Sequence, residues 1–198
     1  MGFNKRVELK LIVGLGNPGD EYKLTRHNMG FLVLEEFAKA NSIKVKTNRH
    51  FNAVTGEGVL GGEDIYLAMP QTFLNLSGHS VKLMLNWFKI DAKDMFVVVD
   101  DVALAFSSLR IRPKGSSGGH KGLRSIIDST GTQEFSRMRM GILGRKNIRD
   151  LSSYVLDRFT KAELKKIPEI LDTASQACGC WIREGANTAM NKFNNYGG

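Results

Sequence analysis

Cysteine is almost missing from this chain: Cys178 and Cys180 are the only two in 198 residues. That excludes a disulfide-stapled fold. On a helix, a C-x-C pair turns its thiols about 200° apart, so it is neither a ready disulfide nor a C-x-x-C redox motif. Long apolar runs are missing too, and no stretch approaches the roughly 20 residues of a membrane span. Residues 1–6, Met-Gly-Phe-Asn-Lys-Arg, lack the apolar centre of a signal peptide. They also fail as a myristoylation signal, because Arg6 stands where Ser or Thr is required. A cytoplasmic protein that does not engage membranes is the expectation.

The four histidines never approach metal-ligand spacing with each other or with the cysteines, so no metal is expected. No G-x-S-x-G elbow is present, which argues against a serine nucleophile. No repeat, linker or low-complexity segment breaks the chain, so residues 1–198 read as one domain, long enough to bury a full core. What the chain has in excess is positive charge. Its 28 Lys and Arg against 20 Asp and Glu give a net charge of +8. That balance favours a polyanionic partner, nucleic acid ahead of a membrane surface.

Hydrophobic periodicity lays out alternating strands and helices. Residues 9–15 read as a buried strand and 28–41 as a helix. Residues 51–60 and 63–69 form a hairpin through Gly61-Gly62. A helix follows over 75–88, its inward face supplied by Val81, Leu83, Met84, Leu85 and Phe88. Residues 95–99, Met-Phe-Val-Val-Val, are apolar at every position and predict a central strand. A short charged strand (108–112), a glycine-rich break (115–119), a helix (121–129) and a strand (138–143) come next. Thr160 and Glu163 form a capping box that opens a helix reaching about residue 185, with Pro168 kinking or restarting it. The fold class is α/β: a single domain with a mixed central β-sheet and helices on both faces.

Gly14-Leu15-Gly16-Asn17-Pro18-Gly19 matches G-x-G-x-x-G, the fingerprint of a nucleotide-cofactor enzyme. That reading needs the third glycine to open a helix so that pyrophosphate meets free N–H groups. Residues 20–26 lack helical spacing, and Pro18 removes one N–H. The segment has instead the chemistry of a type II turn, with Pro18 at i+1 and Gly19 at i+2. Such a turn fixes Asn17 near His27.

Asn17, His27, Asn75 and Asp101 all fall where strands or helices begin or end, which is where open α/β sheets keep their sites. A neutral His27 at a helix start can take a proton from water, and Asp101 at the end of the central strand is the carboxylate expected to hold its tautomer. A helix cap and a solvated turn residue are the plain alternatives. His50 and His79 read as solvated, and His120 as a wall of the site. Arg110, Arg112, Lys114, Lys121, Arg124, Arg137 and Arg139 crowd around the glycine-rich loop, a density suited to phosphate contacts.

Six blocks then carry a resemblance: 11–19, Glu21-Tyr22, Thr25-Arg26-His27-Asn28, Thr72-Phe73-Leu74-Asn75-Leu76-Ser77-Gly78, Val98-Val99-Asp100-Asp101 and Gly118-Gly119-His120-Lys121-Gly122-Leu123. In this order and spacing, over about residues 10–193, the chain resembles bacterial-type peptidyl-tRNA hydrolases. The resemblance implies a monomeric enzyme without a cofactor that hydrolyses the ester between a peptide and the 3′ ribose of tRNA. By position, it implies His27 as catalytic base with Asp101 as partner. Asn17 and Asn75 become amides holding the peptide and the reacting centre, and Arg112 and Arg139 a clamp on tRNA phosphate. Tyr22, Leu74, His120 and Lys121 fall on the binding side. Leu74 stands where the family often has Met, and Lys121 where many members have Asn. Val102-Ala103-Leu104-Ala105-Phe106 replaces a more usual Leu-Asp-Leu-Pro-Phe. A non-enzymatic RNA-binding relative is the rival within the same resemblance.

Overall fold

The computed structural model describes residues 9–144, 148 and 150–196. The leader and myristoylation readings of residues 1–6 lie outside the described residues. In chain order the elements are β1 (Lys10–Gly14), α1 (Met29–Ala40), β2 (Val45–Asn48), β3 (Ala53–Leu60), β4 (Glu63–Pro70), α2 (Ser77–Phe88) and β5 (Met95–Ala105). They continue with β6 (Leu109–Arg112), α3 (Lys121–Thr130), β7 (Ser136–Leu143), α4 (Leu151–Leu156), α5 (Lys161–Leu164) and α6 (Ile167–Phe193).

The strands form one seven-stranded sheet in the order β2-β3-β4-β1-β5-β7-β6. β1 runs parallel to β4 and to β5, and β5 parallel to β7, while β2–β3, β3–β4 and β6–β7 pair antiparallel. The uniformly apolar stretch 95–99 lies in the middle, as its composition requires of a strand covered on both faces. One face packs Ile12, Phe96, Val98 and Met138 with residues of α1 and α6. The other packs Val13, Val97 and Val99 with residues of α2 and α3.

Alternation along β5 has a consequence at its end. Asp100 follows Phe96 and Val98 toward the α1 face, and Asp101 follows Val97 and Val99 toward the α3 face. α1 itself lies against the strand ends without a spacer. A Cβ on Gly30 would sit 2.4 Å from Leu15 N and from Val98 O, so only glycine permits this approach. The packing delivers the residues just ahead of α1 to the ends of β1 and β5.

The Gly61-Gly62 turn joins β3 to β4 with φ of 63° and 84°, the left-handed pair a two-residue hairpin needs. Gly19 takes a φ of 113°, and α1 begins only at Met29, so the third glycine of the G-x-G-x-x-G string opens no helix. The carboxyl-terminal third differs from expectation. The capping box at Thr160 is present but opens only the four-residue α5. Pro168 then lies in the first turn of α6, where its missing N–H costs nothing. α6 passes Gly185, whose φ of 82° and ψ of 177° break the helix, and resumes to Phe193. β2 and α4 were not legible: β2 is an exposed edge strand with no apolar face, and α4 is a six-residue helix capped by Asp150 that buries only Tyr154. Leu83, expected inward, is exposed on α2.

Candidate active site

The carboxyl ends of β1, β4, β5 and β7 open into a cleft of about 530 Å3, lined by Asn17, Tyr22, His27, Leu74, Asn75, Asp100, Asp101, His120, Lys121 and Arg139 among others. Every site residue expected from the sequence is on its wall except Arg112, which is exposed on β6 opposite Arg137. Loops at this edge of a parallel sheet have backbone groups freed from the ladder, which is why the site forms there.

His27 sits in a 3-10 turn, Arg26–Asn28, that leads into α1. Both neighbours are fixed. Arg26 is 4% exposed, donates from Nη2 to Glu163 Oε2 at 2.7 Å and from Nη1 to the carbonyls of Asp157 (3.3 Å) and Arg158 (3.0 Å). Its guanidinium lies 4.3 Å from the centre of the Tyr154 ring. Asn28 accepts from the Asn17 amide and donates to the Asn17 carbonyl, both at 2.9 Å, tying the turn after β1 to the start of α1. Asn17 Oδ1 in turn accepts from Leu74 N at 3.0 Å, which leaves the Asn17 NH2 as a donor at the cleft wall. Asn75, one residue on, is exposed there.

The carboxylate that meets His27 is Asp100, not Asp101. His27 Nδ1 lies 2.8 Å from Asp100 Oδ1, and His120 Nε2 lies 3.2 Å from the same oxygen. The expected Asp101 partner is corrected by strand parity: α1 packs on the face reached by Asp100. Asp101 instead accepts from Ala103 N at 2.8 Å through Oδ1 and pairs with Arg139 Nε through Oδ2.

The hydrogen bonds fix the tautomers. Leu123 N donates to His120 Nδ1 at 3.2 Å, as the N-cap contact of α3, so a neutral His120 carries its proton on Nε2, facing Asp100. An ionised Asp100 only accepts, so His27 presents Nδ1–H to it and keeps Nε2 as its basic nitrogen. Burial pushes the Asp100 carboxyl up, but His120 and His27 beside it outweigh burial and hold it well below the usual carboxylate range. The carboxylate is therefore charged and buried, with both histidines compensating it.

One ring nitrogen each of His27 and His120 and a carboxylate oxygen of Asp100 lie within 4.8 Å of one another, a donor trio that spacing along the chain did not reveal. For a metal to use it, His120 would have to give up the Nε2 proton that its cap bond to Leu123 enforces. The trio fits a hydrogen-bonded network better than a ligand set.

Basic residues border the network on one side. Arg110, Arg112, Arg137 and Arg139 share the α3 face of the paired strands β6 and β7, with Arg110 opposite Arg139 and Arg112 opposite Arg137. Arg137 is buried and donates to carbonyls of Gly115, Ser116, Gln133 and Phe135, bracing the glycine-rich loop. Burial and Arg139 pull its guanidinium down to about 10. Lys121 is exposed at the first position of α3, on the cleft wall.

A mixed α/β sheet with a carboxylate-held histidine in an open cleft and an arginine-lined border has the make-up of an enzyme acting on an anionic substrate. Known proteins agree. A family model described as Peptidyl-tRNA hydrolase matches residues 11–197. The chain is 46% identical over 187 residues to a peptidyl-tRNA hydrolase of Koribacter versatilis, covering 94% of this chain and 92% of that one. It is 45% identical over 184 residues to one of Lachnoclostridium phytofermentans, covering 93% and 96%. The crystal structure of peptidyl-tRNA hydrolase from Acinetobacter baumannii superposes with a TM-score of 0.88 at 32% identity, covering 96% of each chain. This chain belongs to the peptidyl-tRNA hydrolase family, a family of carboxylic ester hydrolases.

Proposed function

We propose that the cleft hydrolyses the ester joining a peptide to the 3′ ribose of tRNA, with His27 as general base and Asp100 as its partner. The observation that carries this reading is the 2.8 Å contact of His27 Nδ1 with a buried, ionised Asp100, which leaves Nε2 free to deprotonate water. The resulting hydroxide attacks the ester carbonyl, and the Asn17 amide, with Asn75 beside it, donates to the developing oxyanion. Imidazolium formed on His27 is stabilised by Asp100 and returns the proton to the departing ribose oxygen. No serine or cysteine is hydrogen-bonded to His27 among the described residues, in keeping with direct attack by water and no covalent intermediate.

Tyr22 and Leu74 offer the wall against which the peptide side lies. Arg139, Lys121 and the outer Arg112 supply cations for tRNA phosphates, whose binding releases counterions and falls with salt. A monomeric enzyme is what the resemblance implies, and the chemistry above calls on no group from a second copy. Two free, buried thiols at Cys178 and Cys180 fit a reducing compartment, the cytoplasm, where peptidyl-tRNA arises. Turnover of an N-blocked aminoacyl-tRNA by the His27→Ala variant tests the chemistry. We expect a loss of about 10²–10⁴-fold with an unchanged circular dichroism spectrum. Turnover near that of the parent chain would remove His27 from the mechanism, and no turnover by the parent would favour the RNA-binding reading instead.

A further inference from the structure

β5 ends in two carboxylates that face opposite ways, and the chemistry above uses only Asp100. Asp101 is 8% exposed, so its charge needs partners. One is the amide of Ala103, at 2.8 Å from Oδ1; the other is Arg139 Nε, paired with Oδ2. Arg139 stands opposite Val99 in the β5–β7 register, so Asp101, two residues on, is its diagonal neighbour on the same face. The carboxylate draws the guanidinium along the strand toward the edge of the sheet where the cleft opens.

Nε is the inner corner of the guanidinium. Holding it leaves the edge formed by Nη1 and Nη2 to face outward. A Cβ on Gly118 would come 3.7 Å from Arg139 Nη2, so that free edge borders the glycine step at the cleft wall. Arg137, on the same face and without such a carboxylate, is instead bound by loop carbonyls and offers nothing to a ligand.

We propose that Asp101 is a positioning residue for tRNA phosphate: it fixes the fork of Arg139 with its Nη edge toward the cleft, and so acts on substrate binding rather than on hydrolysis. This rests on Arg139 contacting phosphate, as in the function proposed above. A planar fork held at one corner loses little freedom when it grips a phosphate bidentately, whereas an untethered arginine must be ordered first.

Steady-state kinetics on N-blocked aminoacyl-tRNA at fixed salt test it, using Asp101→Asn, Arg139→Gln and the double variant. Asparagine keeps an acceptor for Ala103 and removes the charge that holds Nε. Asp101→Asn should raise KM about 5–10-fold and leave kcat within about twofold, the pattern of a lost binding contact. In the Arg139→Gln background the same change should add less than about twofold, because the residue acts through the arginine. Additive effects, a fall in kcat at unchanged KM, or a lowered KM would each overturn the proposal; the last would mean that Asp101 masks Arg139 rather than aims it. Arg139→Lys gives a check independent of how Asp101→Asn folds. Its ammonium keeps the charge and can pair with Asp101 but has no fork, so KM should stay raised above the parent's, and a KM equal to the parent's would refute the aiming role. An unchanged KM in Arg139→Gln would strike the phosphate contact itself, a different failure from additivity.

Discussion

Exchanging Asp100 for Asn is the sharpest perturbation of the site. Asp100 Oδ1 accepts hydrogen bonds from two imidazoles, His27 Nδ1 at 2.8 Å and His120 Nε2 at 3.2 Å. Asparagine has the same shape and one acceptor oxygen, but its NH2 can only donate. If the oxygen stays with His120, whose tautomer is locked by Leu123, the charge that stabilises imidazolium on His27 is gone. If the amide turns, His27 is driven to carry its proton on Nε2 and can no longer take one from water. Either outcome removes most of what a general base supplies, so kcat should fall about 10²–10⁴-fold. KM should stay within about threefold, because no cation of the phosphate border is disturbed.

Stability should fall with activity. The parent carboxylate is 3% exposed, and the two imidazoles beside it outweigh that burial, so a neutral isostere forfeits a net stabilisation. The melting temperature of Asp100→Asn should lie below that of the parent, and Asp100→Ala, which leaves two imidazole donors facing a void, should melt lower still. The assay is steady-state hydrolysis of N-blocked aminoacyl-tRNA beside a thermal melt of each variant. If Asp100→Asn kept more than about a tenth of the parent kcat, the geometry of the His27–Asp100 pair would not be the working geometry. A matching loss in Asp101→Asn would restore the neighbouring carboxylate as the partner.

That choice between adjacent carboxylates shows where sequence reading stops. Residues 95–99 announce a central strand, and a central strand in an α/β sheet ends in a site, which points to this pair of carboxylates but singles out Asp101 and passes over Asp100. Deciding between them needs the parity of β5 relative to α1, and uniform burial erases parity: Val97, Val98 and Val99 look alike from either face. His27, Asn17 and Asn75 were legible because turn chemistry and helix starts place them locally. Arg26 and Asn28 were not, since their partners lie far along the chain, at Glu163 for Arg26, or show only once α1 is laid against β1. The trio of His27, Asp100 and His120 escaped for the same reason, as three residues spread over some 90 positions meet only through the sheet. The edge strand β2 and the six-residue helix α4 bury too little to leave a periodic signal.

The packing that sets the site yields three further tests. Gly30→Ala places a methyl 2.4 Å from Leu15 N and Val98 O, so α1 must lift from the sheet; we expect a loss of at least about 1–3 kcal/mol in urea unfolding, and a lower kcat as His27 shifts with the helix. Unchanged kcat would show that His27 is not positioned by this approach. Arg26→Ala leaves Glu163 as a buried, unpaired charge and empties the place beside Tyr154, which should cost roughly 3–5 kcal/mol. Arg26→Ala melting within a degree of the parent would refute that account. The last test is acid unfolding. Burial raises the Glu163 carboxyl, but the Thr160 amide and Arg26 more than offset it and hold it below its ordinary value; His120 and His27 do the same for Asp100. Both groups thus titrate lower folded than unfolded. Their stabilisation is present in full above the ordinary carboxylate range, near pH 4, and is lost as pH falls through the depressed folded values. The urea midpoint should therefore decline steadily on acidification below about pH 5. Glu163→Gln removes one of the two titrating groups without creating a buried charge on its own side, so its decline should be shallower than the parent's. Equal slopes for the two chains would mean that the Arg26–Glu163 pair does not couple protonation to folding.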